Sequence, residues 1–281
     1  MDINEDINLY LDDFKYEDYE NTEFKFAPSS CFLNVCNYLI CKRNDFKNIF
    51  HTTLEEEDMF IAFNQIFVFD KDFSDLRHFI RKIINTTFEL LFCFVNYHHE
   101  DIRHTFIVIY TRHSNKVEIF EPNYNGNIFG SYDPYDKIFQ LMSEQIEGLN
   151  CYKTQEIFGS FLSKQEMKKL ELNNLTFHKS NTSGFCTVWC LFIFDIMTYY
   201  KDVSLSTVLE ILYLRNKNLT LRQTMKNLTE MIISYMFSIY DEIETVYSEN
   251  RLYLDINSFC NYDHQYVYSD KRMYEIICKF F

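Results

Sequence analysis

Three short apolar segments follow one another between residues 89 and 121, and only a few polar residues separate each segment from the next. Residues 89–98 and 105–110 are continuous apolar runs, which is typical of strands that are buried on both faces, and residues 117–121 predict a third strand. Pro122 and the Asn/Gly sequence behind it end the third run. Because such short connections join antiparallel neighbours, these segments predict an antiparallel meander at the centre of the fold.

Apolar residues at helical spacing predict helices on both sides of this meander. The predicted helices span residues 29–40, 75–85, 135–146, 186–200, 205–215 and 221–246, and residues 151–158 predict a further strand. The expected fold class is therefore α+β, with an antiparallel or mixed central sheet flanked by helices. We expect an acidic, weakly ordered or loosely docked arm over residues 1–23, then a single domain over residues 24–281 with a C-terminal helical extension.

The charge balance restricts the partners that this chain attracts. The 281 residues include 41 Asp and Glu against 27 Lys and Arg, a formal net charge of -14. Such a chain has no broad attraction for nucleic acid or anionic lipid, and a basic protein or peptide is the more fitting partner. We also expect a cytoplasmic protein without a membrane span, because the N-terminus does not resemble a signal peptide. The odd count of nine Cys then predicts reduced thiols.

One cysteine stands where cysteine nucleophiles are usually placed. The sequence Ser-Gly-Phe-Cys-Thr-Val-Trp-Cys over residues 183–190 runs from a polar loop straight into an apolar helix. Cys186 would lie beside the unpaired amides of the first turn, where the helix dipole favours a thiolate. The same amides can hold the oxyanion that forms when a carbonyl is attacked. The alternative is an inert core cysteine at the start of a buried helix.

A histidine and two possible orienting groups lie on neighbouring predicted strands. His104 opens the second strand, and Glu121 and Asn123 follow at the end of the third. If the connecting turn is centred near His113 and Ser114, position 104 lies opposite Asn123 and diagonal to Glu121 on the same face. Either side chain can accept a hydrogen bond from an imidazole and fix its orientation. A structural histidine and a surface carboxylate remain the alternatives.

In this order, the three features resemble the clan of cysteine proteases that includes the adenovirus protease and the SUMO-deconjugating Ulp/SENP enzymes. The matching stretches are His-Thr-Phe-Ile-Val-Ile-Tyr from His104, Val-Glu-Ile-Phe-Glu-Pro-Asn from Val117, and Gly-Phe-Cys-Thr-Val-Trp-Cys from Gly184. The resemblance covers about residues 89–200. The short forms His…Phe-Glu-Pro and Gly-x-Cys-x-x-Trp are also similar to a group of proteins from large nucleocytoplasmic DNA viruses.

The resemblance implies a cysteine-protease-like fold and a catalytic triad. Cys186 would be the nucleophile, His104 the general base and Glu121 the orienter, with Asn123 as the alternative orienter. The implied reaction is hydrolysis of a peptide or isopeptide bond through a thioester, in viral protein processing or in removal of ubiquitin-like modifiers. The implied substrate is a protein or peptide, no metal or other cofactor is expected, and the location is the host cytoplasm or the virion.

The sequence departs from the clan at the oxyanion hole. Members generally carry a glutamine several residues before the cysteine, but no glutamine lies in the segment directly preceding Cys186. Asn181 is the nearest chemical substitute, because its amide also donates, while Gln165 lies further back. Thr105 and Phe185 replace an aromatic residue and an aspartate of the SUMO-type enzymes, so SUMO specificity is not implied.

Three other functions remain open. An inactive relative would serve as a binding or virion structural protein, and a cysteine-dependent acyltransferase would use the same three residues. A metal site would combine Cys186 and Cys190 with His98 and His99, but this spacing fits no common zinc pattern.

Overall fold

Four strands and five helices have their bounds within the part of the chain that the structure describes. The computed structural model describes residues 3–14, 36, 39–40, 43–44, 90–99, 102–122, 134–153, 185–200 and 203–249. In chain order the elements are α1 (Ile3–Asp12), β1 (Leu90–His99), β2 (Ile102–Thr111), β3 (Lys116–Phe120), α2 (Pro134–Ser143), β4 (Asn150–Lys153), α3 (Phe185–Tyr199), α4 (Leu205–Asn216) and α5 (Leu221–Glu249). The predicted α+β class is confirmed.

The strands form one mixed sheet in the order β1-β2-β3-β4. The first three strands run antiparallel, which confirms the predicted meander. Ile107 pairs with Phe120 and Thr111 pairs with Lys116, so the turn has the register that the sequence predicted. Asn115 in this turn has a φ of 48°, in the left-handed region that asparagine tolerates better than most residues.

The fourth strand is parallel to β3, and α2 lies between them in the chain. A tight turn can join only antiparallel neighbours. Two parallel neighbours need a longer crossover connection that returns the chain to the end where the first strand began, and α2 is part of this connection. The turn after β2 is tied to the start of β4, since the Asn150 amide donates to the Asn115 carbonyl at 2.9 Å. The Asn115 side chain donates to the Glu147 carbonyl at 2.7 Å. Of the strand predicted over residues 151–158, the part after residue 153 lies outside the described residues.

Helices cover both faces of the sheet. On one face, Phe92 and Phe94 of β1 pack edge-on against Phe194 of α3, with ring centroids 4.9 and 5.5 Å apart. The other face packs on α2, and alternate residues of each strand supply this contact. The buried cluster there comprises Cys93, Val95, Phe106, Val108, Tyr110, Val117 and Ile119 of the sheet with Tyr135, Ile138, Leu141 and Met142 of α2.

The central helix α3 is enclosed on all sides, since residues 186–198 are all buried. A helix that is apolar around its whole circumference has to be covered in this way. α4 and α5 pack against α3, and α4 begins at Ser204, whose hydroxyl accepts the Thr207 amide as an N-cap. The three predicted C-terminal helices are thereby confirmed. None of the helices described here is both long and apolar enough to cross a membrane.

The N-terminal segment is docked over its described residues. We expected residues 1–23 to be weakly ordered or loosely docked, but residues 3–12 form α1, which packs against α4. Ile7 and Leu11, four residues apart, are buried on one side of this helix. Arg215 of α4 also contacts α1, through an ion pair with Asp12 at 2.6 Å and a hydrogen bond to the Asn8 carbonyl at 2.8 Å. Ile7 and Leu11 therefore anchor a segment that we expected, from its acidity, to be weakly ordered or loosely docked.

The two helices predicted before the sheet are only partly covered. Cys36, Leu39 and Ile40 of the helix predicted over residues 29–40 are helical and buried. The helix predicted over residues 75–85 lies outside the described residues, as does the predicted domain boundary at residue 24.

Candidate active site

Cys186 is the second residue of α3, where the first-turn amides have no partner within the helix. Its exposed fraction is 8%, whereas Cys190, one helical turn further on, is fully buried. Cys186 therefore lies at the edge of the core, while Cys190 lies inside it. Cys186 is buried at the start of α3, a position that both the nucleophile interpretation and the inert core cysteine interpretation predict.

A pair of threonines joins the first turn of α3 to β2. The hydroxyl oxygens of Thr105 and Thr187 lie 2.9 Å apart and both side chains are buried. His104 and Cys186 immediately precede these two threonines in the chain. The backbone of His104 lies in β2 and pairs with Tyr97 of β1. The two chain segments that carry the predicted base and nucleophile therefore meet.

Near Thr105, β2 has a neighbouring strand on one side only among the described residues. In the described residues β2 pairs with β3 only from Ile107 onwards, so the beginning of β2 pairs with β1 alone. The Cys190 thiol of α3 donates to the Thr105 carbonyl with a sulfur–oxygen distance of 3.6 Å. Two turns of α3 thus contact a single residue of the strand.

Glu121 directly follows β3, whose last residue, Phe120, pairs with Ile107 of β2. Glu121 is 4% exposed, and it accepts a hydrogen bond from the Tyr135 hydroxyl of α2. Residues two apart along a strand share a face. Position 121 therefore continues the alternation of Val117 and Ile119, and position 104 that of Phe106. Phe106, Val117 and Ile119 face α2, and β2 and β3 pair in the register that the sequence predicted.

The Cys190 thiol is buried one helical turn after Cys186. Burial raises the pKa of the Cys190 thiol well above its ordinary value, and the neighbouring Cys186 and Glu121 raise this pKa further. Cys190 is therefore a neutral core thiol, and both groups lie close enough to act on it.

Two of the predicted site residues belong to parts of the chain that the structure does not describe. Asn123, the alternative orienter, and Asn181, the predicted oxyanion donor, lie outside the described residues. In the part of the chain that is described, no three His, Cys, Asp or Glu residues are grouped so that they could hold a metal ion.

A buried polar cluster around Asp195 was not predicted as a site. Asp195 is fully buried in α3, where it accepts hydrogen bonds from Tyr10 at 3.1 Å, from Tyr235 at 2.9 Å and from Asn44 at 2.9 Å, and it forms an ion pair with Arg43. The only sequence signal was one carboxylate inside an apolar run. Since Cys186 and Asp195 stand near opposite ends of α3, we interpret this cluster as an anchor that fixes α3 to its neighbours.

Comparison with known proteins adds no family to these observations. No protein-family model, no curated protein and no solved structure matches this chain.

Proposed function

We propose that this protein is a thiol hydrolase that cleaves peptide or isopeptide bonds, with Cys186 as nucleophile, His104 as general base and Glu121 as orienter. The observation that carries the proposal is the contact between Thr105 and Thr187, because it joins the strand of His104 to the helix of Cys186. The resemblance of the three sequence stretches to the adenovirus protease and Ulp/SENP clan supports the same assignment.

In this mechanism the His104 imidazole takes the proton of the Cys186 thiol, and the thiolate attacks the substrate carbonyl. The first-turn amides of α3 stabilise the oxyanion, and collapse of the intermediate releases the amine, which takes the proton from His104. Water, activated by His104, then hydrolyses the thioester. Glu121 accepts a hydrogen bond from the imidazolium and holds the ring in place. For this step the His104 imidazole has to reach Cys186 around the end of β3. In the described residues the beginning of β2 pairs with β1 alone, so no β3 residue pairs with His104 there.

Two other functions use the same residues differently. A protein without this activity would bind its partner through the same fold, and the absent glutamine before Cys186 is the feature that favours it. An acyltransferase would pass the acyl group from Cys186 to an amine instead of water.

Covalent capture with carbonyl-mimicking electrophiles tests the proposal. Ubiquitin and SUMO carrying a C-terminal electrophile, and a peptide chloromethyl ketone, should each be offered to the wild-type protein, to Cys186→Ala and to Cys151→Ala. Cys151 on β4 is only half-buried and serves as the matched control thiol. We expect at least one probe to form an adduct with the wild-type protein and with Cys151→Ala but not with Cys186→Ala. Adducts that survive Cys186→Ala would contradict the proposal, and turnover that depends on an acyl-coenzyme donor would identify the acyltransferase.

A further inference from the structure

Exposed apolar side chains are concentrated around α1. In the described part of the chain, five large apolar or aromatic side chains are more than a third exposed. Two of them, Ile3 and Leu9, belong to α1, and a third, Tyr199 at the end of α3, stacks on Tyr10 of α1 with ring centroids 5.9 Å apart. Leu9 is 61% exposed and Tyr199 is 53% exposed. Single exposed apolar residues are ordinary, but neighbouring ones mark interaction sites.

Acidic side chains stand among these apolar ones. Residues three and four apart are neighbours on the surface of a helix, so Leu9 lies beside Glu5 and Asp6. Asp6 also lies beside Tyr10 for the same reason. The helix α1 contains no lysine or arginine, and in the described residues no ion pair engages Glu5, Asp6 or Asp13. The outer side of α1 therefore carries carboxylates that no cation of the described residues neutralises.

The carboxylates and the exposed tyrosine rings form one continuous surface. Burial, Tyr199 and Asp6, in this order of importance, raise the pKa of the Tyr200 hydroxyl to about 12, so the charge of Asp6 lies close to this ring. Tyr199 and Tyr200 contact each other with ring centroids 4.7 Å apart. Asp13 directly follows the C-terminal end of α1, where the helix dipole disfavours an acidic side chain. A cation supplied by a partner removes this unfavourable interaction.

We propose that the exposed side of α1 and the adjacent tyrosine ring bind a basic amphipathic segment of a partner protein. This α1 surface comprises Ile3, Glu5, Asp6, Leu9, Asp13 and Tyr199. Apolar side chains of the bound segment cover Leu9, while its arginines pair with the carboxylates and stack on the Tyr199 ring, because a guanidinium group suits both contacts.

The charge of the α1 surface disfavours other occupants. A second copy of this chain, with a formal net charge of -14, is repelled by it, and so is a nucleic acid. The α1 surface is also separate from the candidate active site. Tyr199 and Cys186 stand near opposite ends of α3, about 20 Å apart by the rise of a helix. A segment bound to the α1 surface therefore leaves Cys186 accessible to a substrate.

Fluorescence anisotropy with a designed peptide tests the α1 surface in the 281-residue chain. The probe is a fluorescein-labelled helical peptide of Leu, Arg and Ala with Leu and Arg on one face, and its control carries Glu in place of Arg. We expect the Arg peptide to bind and the Glu peptide not to bind. Leu9→Ala, and Asp6→Asn combined with Asp13→Asn, should each raise the Kd of the Arg peptide about 5-fold or more, because they remove an apolar anchor or two paired charges.

Matched variants outside the α1 surface separate this site from attraction by net charge alone. Leu214→Ala truncates a leucine of α4 that is 52% exposed, and Glu144→Gln combined with Glu147→Gln removes two exposed charges after α2. Both should change the Kd by less than about 2-fold, and urea unfolding should show all variants to be folded. Equal losses in these controls, an unchanged Kd in Leu9→Ala, binding of the Glu peptide or no binding of the Arg peptide would each overturn the proposal.

Discussion

The hydroxyl groups of Thr105 and Thr187 lie 2.9 Å apart inside the core, and this bond joins β2 to the first turn of α3. Neither threonine carries the proposed chemistry, but each is the next residue after a group that does. The relative position of His104 and Cys186 therefore depends on a hydrogen bond between their neighbours.

The first prediction concerns the energy of this threonine pair. Thr105→Val and Thr187→Val each keep the shape and remove one hydroxyl, so each should lower the free energy of unfolding by about 1–3 kcal/mol. The double variant should lose less than the two single losses combined, because no polar group is then left facing an apolar one. Urea unfolding measures these values. Thr105→Ser, which keeps the hydroxyl, is the control, and strictly additive losses would show that the two groups are not coupled.

The second prediction tests the docking of the N-terminal helix. Leu11 is 2% exposed and Leu9 is 61% exposed on the same helix, which provides a matched pair of leucines. Leu11→Ala should destabilise the protein by about 2–5 kcal/mol, because it removes buried methyl groups and leaves a cavity. Leu9→Ala should change the stability by less than about 0.5 kcal/mol. Equal effects of the two substitutions in urea unfolding would argue against a docked α1.

The third prediction is a loss of stability at alkaline pH through the Asp195 cluster. Burial raises the pKa of Tyr235 well above its ordinary value, and the adjacent Asp195 raises it further; the same two causes raise the pKa of Tyr10. Above about pH 10 the unfolded tyrosines release protons that the folded ones retain. The unfolded state then binds fewer protons, so stability falls as pH rises, by about 1.4 kcal/mol per pH unit for each such tyrosine.

Urea unfolding between pH 9 and 11 checks this sign and slope. Tyr235→Phe should reduce the slope by the share of one tyrosine, although it also removes a hydrogen bond at every pH. Tyr152→Phe is the control, because Tyr152 is exposed on β4 and lies outside the cluster. A slope that remains the same in Tyr235→Phe would mean that this tyrosine does not retain its proton.

Local patterns in the sequence were sufficient for the three antiparallel strands and for helices α2 to α5. The turn between β2 and β3 fixes the register once its centre is known, and the apolar run after Gly184 has no alternative to a buried helix. The position of Cys186 at a helix start and the register between β2 and β3 follow from such local rules.

Contacts between distant segments were not predictable in the same way. Asp195 has its partners at Tyr10, Arg43 and Tyr235, which three other segments supply, and one acidic residue in an apolar run does not indicate which segments these are. Tyr135 is one tyrosine among 21, and only the packing of α2 on the sheet brings its hydroxyl to Glu121. We expected a weakly ordered or loosely docked arm because the N-terminus is acidic. Acidic residues indicate what the exposed side of a helix carries, but not whether its other side is buried.

The pH profile of Cys186 alkylation distinguishes a thiol that His104 activates from an inert core cysteine. The rate constant for iodoacetamide should be measured from pH 5 to 9.5 in the wild-type protein and in His104→Ala, with Cys151 as the internal reference. We predict that Cys186 in the wild-type protein reacts with a midpoint well below the value of about 8.5 for a free cysteine, and that His104→Ala moves this midpoint upward. Superimposable Cys186 profiles for the two proteins would contradict the account.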